Sequence, residues 1–519
     1  MDTENLPSNN TEEPAMADGD LEPLSKKQKV VSFSPEAPTT IAVPPSADDE
    51  PTLEVDAKEA VKLIFVDVND SNNDGESWTY HNFAPEYTHQ LFENEKIVLP
   101  LREPAAPAAP ATALVSVYIR CADLAHHVVV EDSVLLPAGS DAAAAVLDHL
   151  QVGLPARDDP DGLTVVHRDA DAAPSAMSRF LDATAFAGRQ RDGRTLGRLL
   201  SSWGAESARY ELYLANHRDV PGCWDTLRRA EKVAMWHIET ADAVEFSDKH
   251  WEVLNLYRCR PRPSGSGSGS AGTGEDGAAV DTYHSLAGYL TLYTFLNPFK
   301  GAKVRVCQAL VLPHEQKKGL GREMLLAVYR LAADRSDVAE VTVEDPCPGF
   351  QAMRDTVDCE WLAAALPVGL TGHKDVEQWV TSASPQARAD HAARLKITPS
   401  QAHFAFEAMK DALLRRRLAV AEAYVEATAA GAVAGADASA AAAEANDAVE
   451  SCEADLKAFR LVVKRRLLGE NPDLKAAGKE AMQRELDALY AEMAERYGKC
   501  AKHCLRAVEA RMHSVAGPQ

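Results

Sequence analysis

Hydrophobic and polar residues alternate with a period of two in some stretches of the chain and recur at helical spacing in others, and the two periods predict strands and helices. Lys62-Leu63-Ile64-Phe65-Val66 reads as a strand, as do Leu114 to Arg120 and the alternating Arg209 to Ala215. From Asp225 to Ala241, residues Leu227, Ala230, Val233, Ala234 and Ile238 recur at helical spacing and predict a helix with one apolar stripe. Trp251 to Tyr257 and Gly288 to Phe295 (GYLTLYTF) read as strands on either side of Pro261 to Gly277, whose GSGSGSAGTG run predicts a flexible connecting loop. Val304 to Leu312 (VRVCQALVL) is a buried strand, HEQKKGLG a glycine-containing turn, and Arg322 to Ala333 a helix carrying Leu325, Leu326, Val328, Tyr329 and Ala332. Val338 to Val343 is a further strand that ends in Glu344-Asp345-Pro346. Beyond about Glu377 the pattern is helical to the end, including Gln401 to Arg417 and Asp455 to Leu468. A strand, loop, helix, strand unit with a helical tail predicts the α/β class and a mixed central sheet.

At 519 residues the chain exceeds what one core usually organises. Composition places the boundaries. Residues 1–55 are rich in Pro, Ser, Asp and Glu and poor in aromatics, so they read as a disordered acidic tail. An N-terminal α+β domain is expected at 56–215, interrupted by the PAAPAAP run at Pro104 to Pro110, and a ligand-binding domain at 216–378 with an insertion at about 261–280. A helical C-terminal domain is expected at 379–519, with an Ala-rich surface helix or loose insertion at about 419–449. The formal net charge of −24 excludes a main task of gripping phosphate backbones and favours a cationic partner, which an acidic surface attracts over several ångströms. Ser25-Lys26-Lys27-Gln28-Lys29-Val30 is an isolated basic run of the kind a nuclear-import receptor reads. The nine cysteines are odd in number and never form C-x-x-C, which predicts free thiols in a reducing compartment. Cys500, His503 and Cys504 could face one another on a helix, but two thiols and one imidazole do not complete a tetrahedral zinc site, so no metal is expected. No stretch approaches the roughly 20 apolar residues of a membrane span, and the expectation is a soluble intracellular protein.

Candidate chemistry concentrates around the glycine turn. Gln316-Lys317-Lys318-Gly319-Leu320-Gly321 follows a strand and opens a helix, so backbone N–H groups and the helix N-terminus can approach a pyrophosphate. The dinucleotide fingerprint requires a third small residue where Met324 stands, and the Walker loop requires Gly-Lys-Ser/Thr, absent here. The remaining pattern, Q-x-x-G-x-G, resembles the coenzyme A loop of the GNAT superfamily of N-acetyltransferases. Glu344, at the carboxyl end of a strand, is placed where α/β sheets bind ligands. Transfer of acetyl to lysine requires a neutral amine, and free lysine has a pKa near 10.4, so a base is needed. Glu344 is the candidate base, in a site expected to be dry enough to raise its pKa, with Asp345 as a supporting carboxylate or as the cap of the following helix.

RVCQALVLPHEQKKGLGREML followed by VTVEDPCPGFQAMRD resembles the catalytic core of type B histone acetyltransferases. Phe83-Ala84-Pro85-Glu86-Tyr87-Thr88-His89-Gln90-Leu91-Phe92 is similar to that family's F-x-P-E-Y-T-H-Q-L-F segment, and Trp236-His237-Ile238-Glu239-Thr240-Ala241 to its W-[FY]-I-E-T-A helix end, with His237 in place of the aromatic. Lys396-Ile397, Gln401-Ala402-His403 and Lys464-Arg465-Arg466-Leu467 resemble its C-terminal region, so the likeness runs from about 57 to about 475. It implies the GNAT fold, acetyl-CoA as co-substrate, and the tail of newly made histone four as acceptor, by direct attack in a ternary complex. It implies that Ala309, Leu310 and Val311 bind acetyl-CoA by strand backbone, that Gln316, Lys317, Lys318, Gly319, Leu320, Gly321 and Arg322 cradle its pyrophosphate, and that Phe350 and Arg354 line its channel. Trp236, Tyr293, Thr294 and Phe295 match positions that meet the tail, as do Asn94, Glu95 and Lys96, although Lys96 replaces an acidic family residue. Asp225 stands near a family Glu considered as an auxiliary base. The resemblance further implies a WD-repeat histone-binding propeller partner, no direct nucleic-acid or membrane contact, and residence in nucleus and cytoplasm. Two rival readings are an acetyltransferase of another protein or a polyamine, and a histone-binding module without activity.

Overall fold

The computed structural model describes residues 52–68, 78–100, 115–122, 124–130, 163–167, 196–205, 208–216, 220, 223–245, 247–261, 282–430 and 438–516. The basic run at 25–30, the segment at 104–110 and nearly all of the Ser/Gly-rich insertion lie outside the described residues.

The first half of the chain is strand-rich. β1 (Thr52–Asp56) pairs antiparallel with β4 (Lys96–Pro100), and the single turn α1 (Ala57–Ala60) is capped by the Asp56 carboxylate, which accepts the Lys58 N–H at 2.8 Å. The tail expected through residue 55 therefore gives way to a strand at Thr52. β2 (Val61–Val68), β3 (Trp78–Phe83), β5 (Val115–Arg120), β6 (His126–Val130) and β7 (Leu163–His167) form a mixed sheet in the order β3-β2-β5-β6-β7. The unbroken apolar run of β2 has its reason here. Leu63 and Phe65 enter one core, while Ile64 and Val66 enter a smaller one, as befits a central strand.

A second, six-stranded sheet runs β13-β12-β11-β10-β9-β8. Its members are β8 (Arg198–Ala205), β9 (Ala208–Asn216), β10 (Trp251–Pro261), β11 (Thr282–Phe295), β12 (Ala302–Val311) and β13 (Val338–Val343). Neighbours are antiparallel except β12 and β13, which are parallel and joined by a helix as a parallel crossover requires. The boundary expected at 215/216 therefore falls at the end of β9, inside a single hydrogen-bonded sheet.

On one face of this sheet lies α2 (Cys223–Ala234), whose Leu227, Ala230 and Val233 share a core with Phe92, Tyr257 and Tyr289. α2 ends seven residues before the expected Ala241. The Trp236 carbonyl accepts the N–H groups of Glu86 and Tyr87, at 2.9 and 3.1 Å, where a continuing helix would have used it internally. The other face is covered by α3 (Leu320–Ala333), which buries Leu320, Met324, Leu325, Val328, Tyr329 and Ala332 against Leu290, Leu292, Val304 and Val306. Fully burying a large apolar side chain contributes about 1.5–3 kcal/mol, so this face alone is a major part of the fold's stability.

The helices α4 (Pro348–Ala364), α5 (His373–Ser382), α6 (Pro385–Leu395), α7 (Pro399–Ala429), α8 (Ala438–Glu470) and α9 (Lys479–Ala516) continue that same core. The helical region thus shares its hydrophobic interior with the sheet. α7 opens with Thr398 and Gln401 in a reciprocal capping box. The Ala-rich run is helical on both sides of residues 431–437, which lie outside the described residues. None of the described helices is long and apolar enough to cross a membrane.

Candidate active site

β12 and β13 pair only as far as Val306 and Val343, with a last hydrogen bond from Glu344 N to Val306 O at 2.9 Å. β12 then continues to Val311 while β13 turns away. At the same level the register between β11 and β12 shifts. Leu292 faces Val306 but Leu290 faces Ala309, so Cys307 and Gln308 together oppose Thr291. This is a bulge on β12, and bulges re-aim side chains beside functional sites. The displaced Gln308 N–H is satisfied by the Thr291 hydroxyl at 3.0 Å. The buried Gln308 side chain accepts from the Tyr289 hydroxyl at 2.7 Å and donates to the Asp242 carbonyl. A single residue thereby pins the bulge to β11 and to the 242–245 loop.

The glycine turn follows β12 closely. Gln316 Nε2 donates to the Val311 carbonyl at 3.0 Å and closes the neck of the loop. Lys317 and Gly319 both adopt positive φ, at 63° and 79°. A Cβ at Gly319 would meet nothing within 4 Å, so glycine serves the backbone conformation there and leaves open space in front of the helix. Gly321 differs: a Cβ would lie 2.9 Å from Met353 Sδ, so this glycine lets α3 approach α4.

The expected phosphate-side cations are partly engaged. Lys318 Nζ lies 2.8 Å from Glu315, a buried carboxylate that also accepts the Tyr210 hydroxyl at 2.7 Å and faces Arg258 at 3.6 Å. Burial pushes the Glu315 carboxyl up, but the hydrogen bonds from Lys318 and Tyr210 outweigh it and hold it below the usual value. Arg322 pairs with Glu323 and Glu360. Lys317 is exposed and forms no ion pair among the described residues.

Phe350 is partly buried against the sheet core. Arg354 is buried, and its charge acts on Asp358 and Tyr329. Burial raises the Asp358 carboxyl to about 6 even so.

Glu344 is exposed, not enclosed as expected. The turn beyond β13 carries it out of the sheet, and its carboxylate meets Arg305 Nη1 at 3.3 Å. Asp345 stands at φ 32° and does not cap α4, whose N-cap is Cys347 with no side-chain bond. Left-handed backbone at Asp345 turns the chain before Pro346, and the cap falls two residues further on, at Cys347. Cys307 lies against Glu344, and burial pushes its thiol up to about 12, so it carries no thiolate at neutral pH.

Around Glu344 the structure assembles aromatic and acidic groups. The Arg305 guanidinium stands 4.6 Å over the Phe295 ring, which is 39% exposed and packs edge-on against Tyr293. Tyr293 donates its hydroxyl to Asp248 at 2.8 Å and packs on Trp251, while the Thr294 N–H is taken by the His250 carbonyl. Asp248, held below the usual range by the His250 N–H and then by the Tyr293 hydroxyl, was not foreseen from sequence, nor were Arg305 and Gln308. The signal for Arg305 was alternation: Arg305 and Cys307 stand on the opposite face of β12 from Val304 and Val306.

Trp236, expected to meet a peptide, is 3% exposed and packs with Phe92 in the core; its carbonyl holds the Glu86 and Tyr87 N–H groups. That carbonyl, together with those of Glu239 and Ala241, which accept from His89 and Gln90, stitches the 83–92 segment to the end of α2. The two motifs are therefore one contact. The Tyr87 hydroxyl lies within electrostatic reach of Glu239, Glu86 and Cys347, next to the turn that carries Glu344. Asn94 and Glu95 adopt left-handed backbone at the corner leading into β4, where Glu95 is tied to Lys58 at 2.8 Å and to the Thr88 hydroxyl at 3.3 Å. Lys96 is exposed and opens β4 opposite Asp56. The side chain of Asp225 is outside the described groups.

A splayed parallel strand pair, a glycine turn opening a helix, and a carboxylate at a strand end define a crevice of the kind in which α/β proteins bind phosphorylated ligands. The chain is similar to proteins named histone acetyltransferase type B catalytic subunit. It is 31% identical to that of Cryptococcus neoformans over 155 residues, 30% of this chain and 33% of the relative. To that of Homo sapiens it is 27% identical over 159 residues, 31% of this chain and 34% of the relative. To that of Aspergillus oryzae it is 22% identical over 336 residues, covering 58% and 57%. The chain thus spans about a third of the length of the first two relatives and little more than half of the third. By their name these relatives are acyltransferases. No family model matches the chain.

Proposed function

We propose that the protein is a type B histone acetyltransferase of the GNAT kind, which moves acetyl from acetyl-CoA to lysine ε-amines in the tail of free, newly made histone four. The observation that carries this reading is the position of Glu344 where β13 leaves β12, beside Arg305 and the aromatic-acidic face. The similarity to histone acetyltransferases supports it.

Residues of this chain suit the co-substrate. The open space before Gly319 and the N–H groups at the start of α3 fit a pyrophosphate, and the β12 edge at Ala309, Leu310 and Val311 fits an extended amide chain. Lys317 is the cation left for a phosphate oxygen, while Lys318 and Arg322 chiefly hold the loop and α3 in place.

Glu344 takes the lysine proton, directly or through one water, and its exposure lets a long side chain reach it. The neutral amine attacks the thioester carbon, the C–N bond forms, the C–S bond breaks, and the thiol of coenzyme A leaves. Burial and the neighbouring Glu344 keep the Cys307 thiol from ionising readily, which makes it a poor nucleophile and favours direct transfer in a ternary complex. Exposed Glu239, Asp242 and Glu245, with Asp248, give the face a negative rim for a basic peptide. The 83–92 segment forms one wall of this groove. A WD-repeat histone-binding protein as partner, and residence in nucleus and cytoplasm, complete the proposal.

The test is coenzyme A release by the full chain with acetyl-CoA and either a histone four tail peptide or spermidine. Release with the peptide at least about tenfold faster than with spermidine is expected, a discrimination within the reach of one binding pocket. Release with spermidine and none with the peptide overturns the substrate assignment.

A further inference from the structure

On the face of the six-stranded sheet opposite Tyr210 and Arg258, three side chains from three adjacent strands converge. Glu211 lies on β9, Cys259 on β10 and His284 on β11. Register explains the meeting: Glu211 pairs with Tyr257, and Cys259, two residues on and so on the same face, pairs with His284. One ligand atom from each lies within 4.8 Å of the others. We infer that Glu211 Oε2, Cys259 Sγ and His284 Nε2 form a binding site for a zinc-like divalent ion.

The donor set is one sulfur, one imidazole nitrogen and one carboxylate oxygen, the three ligand types zinc prefers. With bonds of about 2.0 to 2.3 Å, ligand atoms around a tetrahedral zinc stand roughly 3.5 Å apart. His284 Nε2 and Glu211 Oε2 are already at 3.5 Å, so mainly the Cys259 side chain has to close in. The surroundings orient the carboxylate. Arg209 holds Glu211 Oε1 at 2.7 Å, which leaves Oε2 turned toward the thiol and the imidazole, the kind of outer contact that orients metal ligands. The Tyr213 hydroxyl donates to Oε2 at 2.6 Å and fixes it further, which leaves the fourth position to a water.

Binding replaces the Cys259 S–H bond by a sulfur–metal bond, and the proton leaves to solvent past His284, the most accessible of the three. The ion, the thiolate, the Glu211 carboxylate and Arg209 then sum to one positive charge, where an ion without the thiolate would leave two. Nothing in the acyl transfer requires this site. A structural role, tying three strands together, follows from its place in the sheet.

The test uses the full chain, stripped with chelator and titrated with Co²⁺ as a spectroscopic stand-in for zinc. One equivalent is expected to produce a thiolate-to-cobalt charge-transfer band and the visible bands of tetrahedral cobalt, both removed by added Zn²⁺. Cys259→Ala should abolish the charge-transfer band, and His284→Gln should weaken cobalt binding at least about tenfold, as loss of one of three protein ligands demands. His284 is partly exposed, so this second variant keeps the test available if Cys259→Ala does not fold. As an independent readout, Zn²⁺ should raise the melting temperature of the wild type and not that of His284→Gln. Absence of the band in the wild type, its persistence in Cys259→Ala, or unchanged affinity in His284→Gln overturns the site and leaves a metal-free network of Glu211, Arg209 and His284.

Discussion

The region around Glu344 and the region around Glu231 offer the crevice two carboxyl groups in opposite surroundings. Glu344 is exposed at the end of β13 and paired with Arg305. Glu231 is buried on α2, accepts the Val244 N–H at 2.8 Å, and lies within electrostatic reach of Tyr289, the residue that holds Gln308 in the bulge. Burial pushes the Glu231 carboxyl up to about 7, and the Val244 N–H only partly offsets this. An acidity near neutral suits a general base, but a base must also reach the proton it removes. Glu231 has the first property and Glu344 the second. The difference teaches that a shifted carboxyl in this fold reports the dryness of the core beneath the bulge, while reactivity belongs to the group that a substrate can touch.

Replacing the accessible carboxylate is the sharpest way to break this comparison. Glu344→Gln keeps the shape and removes the base, so kcat should fall at least about a hundredfold at neutral pH while acetyl-CoA affinity barely changes. Raising the pH should partly rescue it, because more lysine is then neutral. If Glu231→Gln produces this loss and Glu344→Gln does not, the roles are reversed.

A smaller effect is expected at Asp345. Asn tolerates left-handed backbone as Asp does, and Asp345 caps no helix, so Asp345→Asn should lower kcat less than about tenfold. A loss as large as that of Glu344→Gln would make Asp345 the base.

Glu231→Gln should leave kcat within about threefold and act on stability instead. The folded-state pKa lies above the ordinary 4.5, so the folded protein holds this proton more tightly than the unfolded chain. The associated stability is fully present below about 4.5 and is lost as pH rises toward 7, on the order of 3 kcal/mol at 1.36 kcal/mol per unit. The variant, neutral throughout, should show a flatter melting temperature between about pH 4.5 and about pH 7, the window spanned by those two values. Denaturation curves for both proteins across that range check it, and parallel curves sink the buried-carboxyl reading.

The acidic rim predicts a modest rise of peptide KM with salt, since exposed charges are screened over roughly 8 Å at physiological ionic strength. A flat KM removes electrostatic recruitment from the account. The least effect is expected from deleting Ser264 to Gly274, which should leave turnover nearly unchanged because a run of Ser, Gly, Ala and Thr carries no large apolar side chain for a core to lose. A fall in kcat/KM of about tenfold would place that segment on the substrate.

Much of the crevice was legible before any fold was known. The strand from Val338 to Val343 lies at its predicted bounds, and α3 begins at Leu320, two residues from the reading, because apolar spacing and a glycine turn are properties of consecutive residues. The end of α2 was not legible, since a helical stripe continued to Ile238 while the Trp236 carbonyl was claimed by Glu86 and Tyr87, about 150 residues earlier. The burial of the Trp236 ring beside Phe92 was illegible for the same reason: a motif match gives a residue its importance but not the direction its ring faces.

The sequence by itself determined the α/β class, the strand, loop, helix, strand unit, the glycine turn before the helix and the carboxylate at a strand end, all through local periodicity and backbone chemistry. Only the tertiary structure decided that β12 bulges at Cys307 and Gln308, that Glu344 stands exposed beside Arg305, that Lys318 and Arg354 turn to buried carboxylates, and that Glu211, Cys259 and His284 meet. Those outcomes depend on sheet register and on which distant segment satisfies each backbone and charged group. Such pairings act between residues far apart along the chain, and no local period records them.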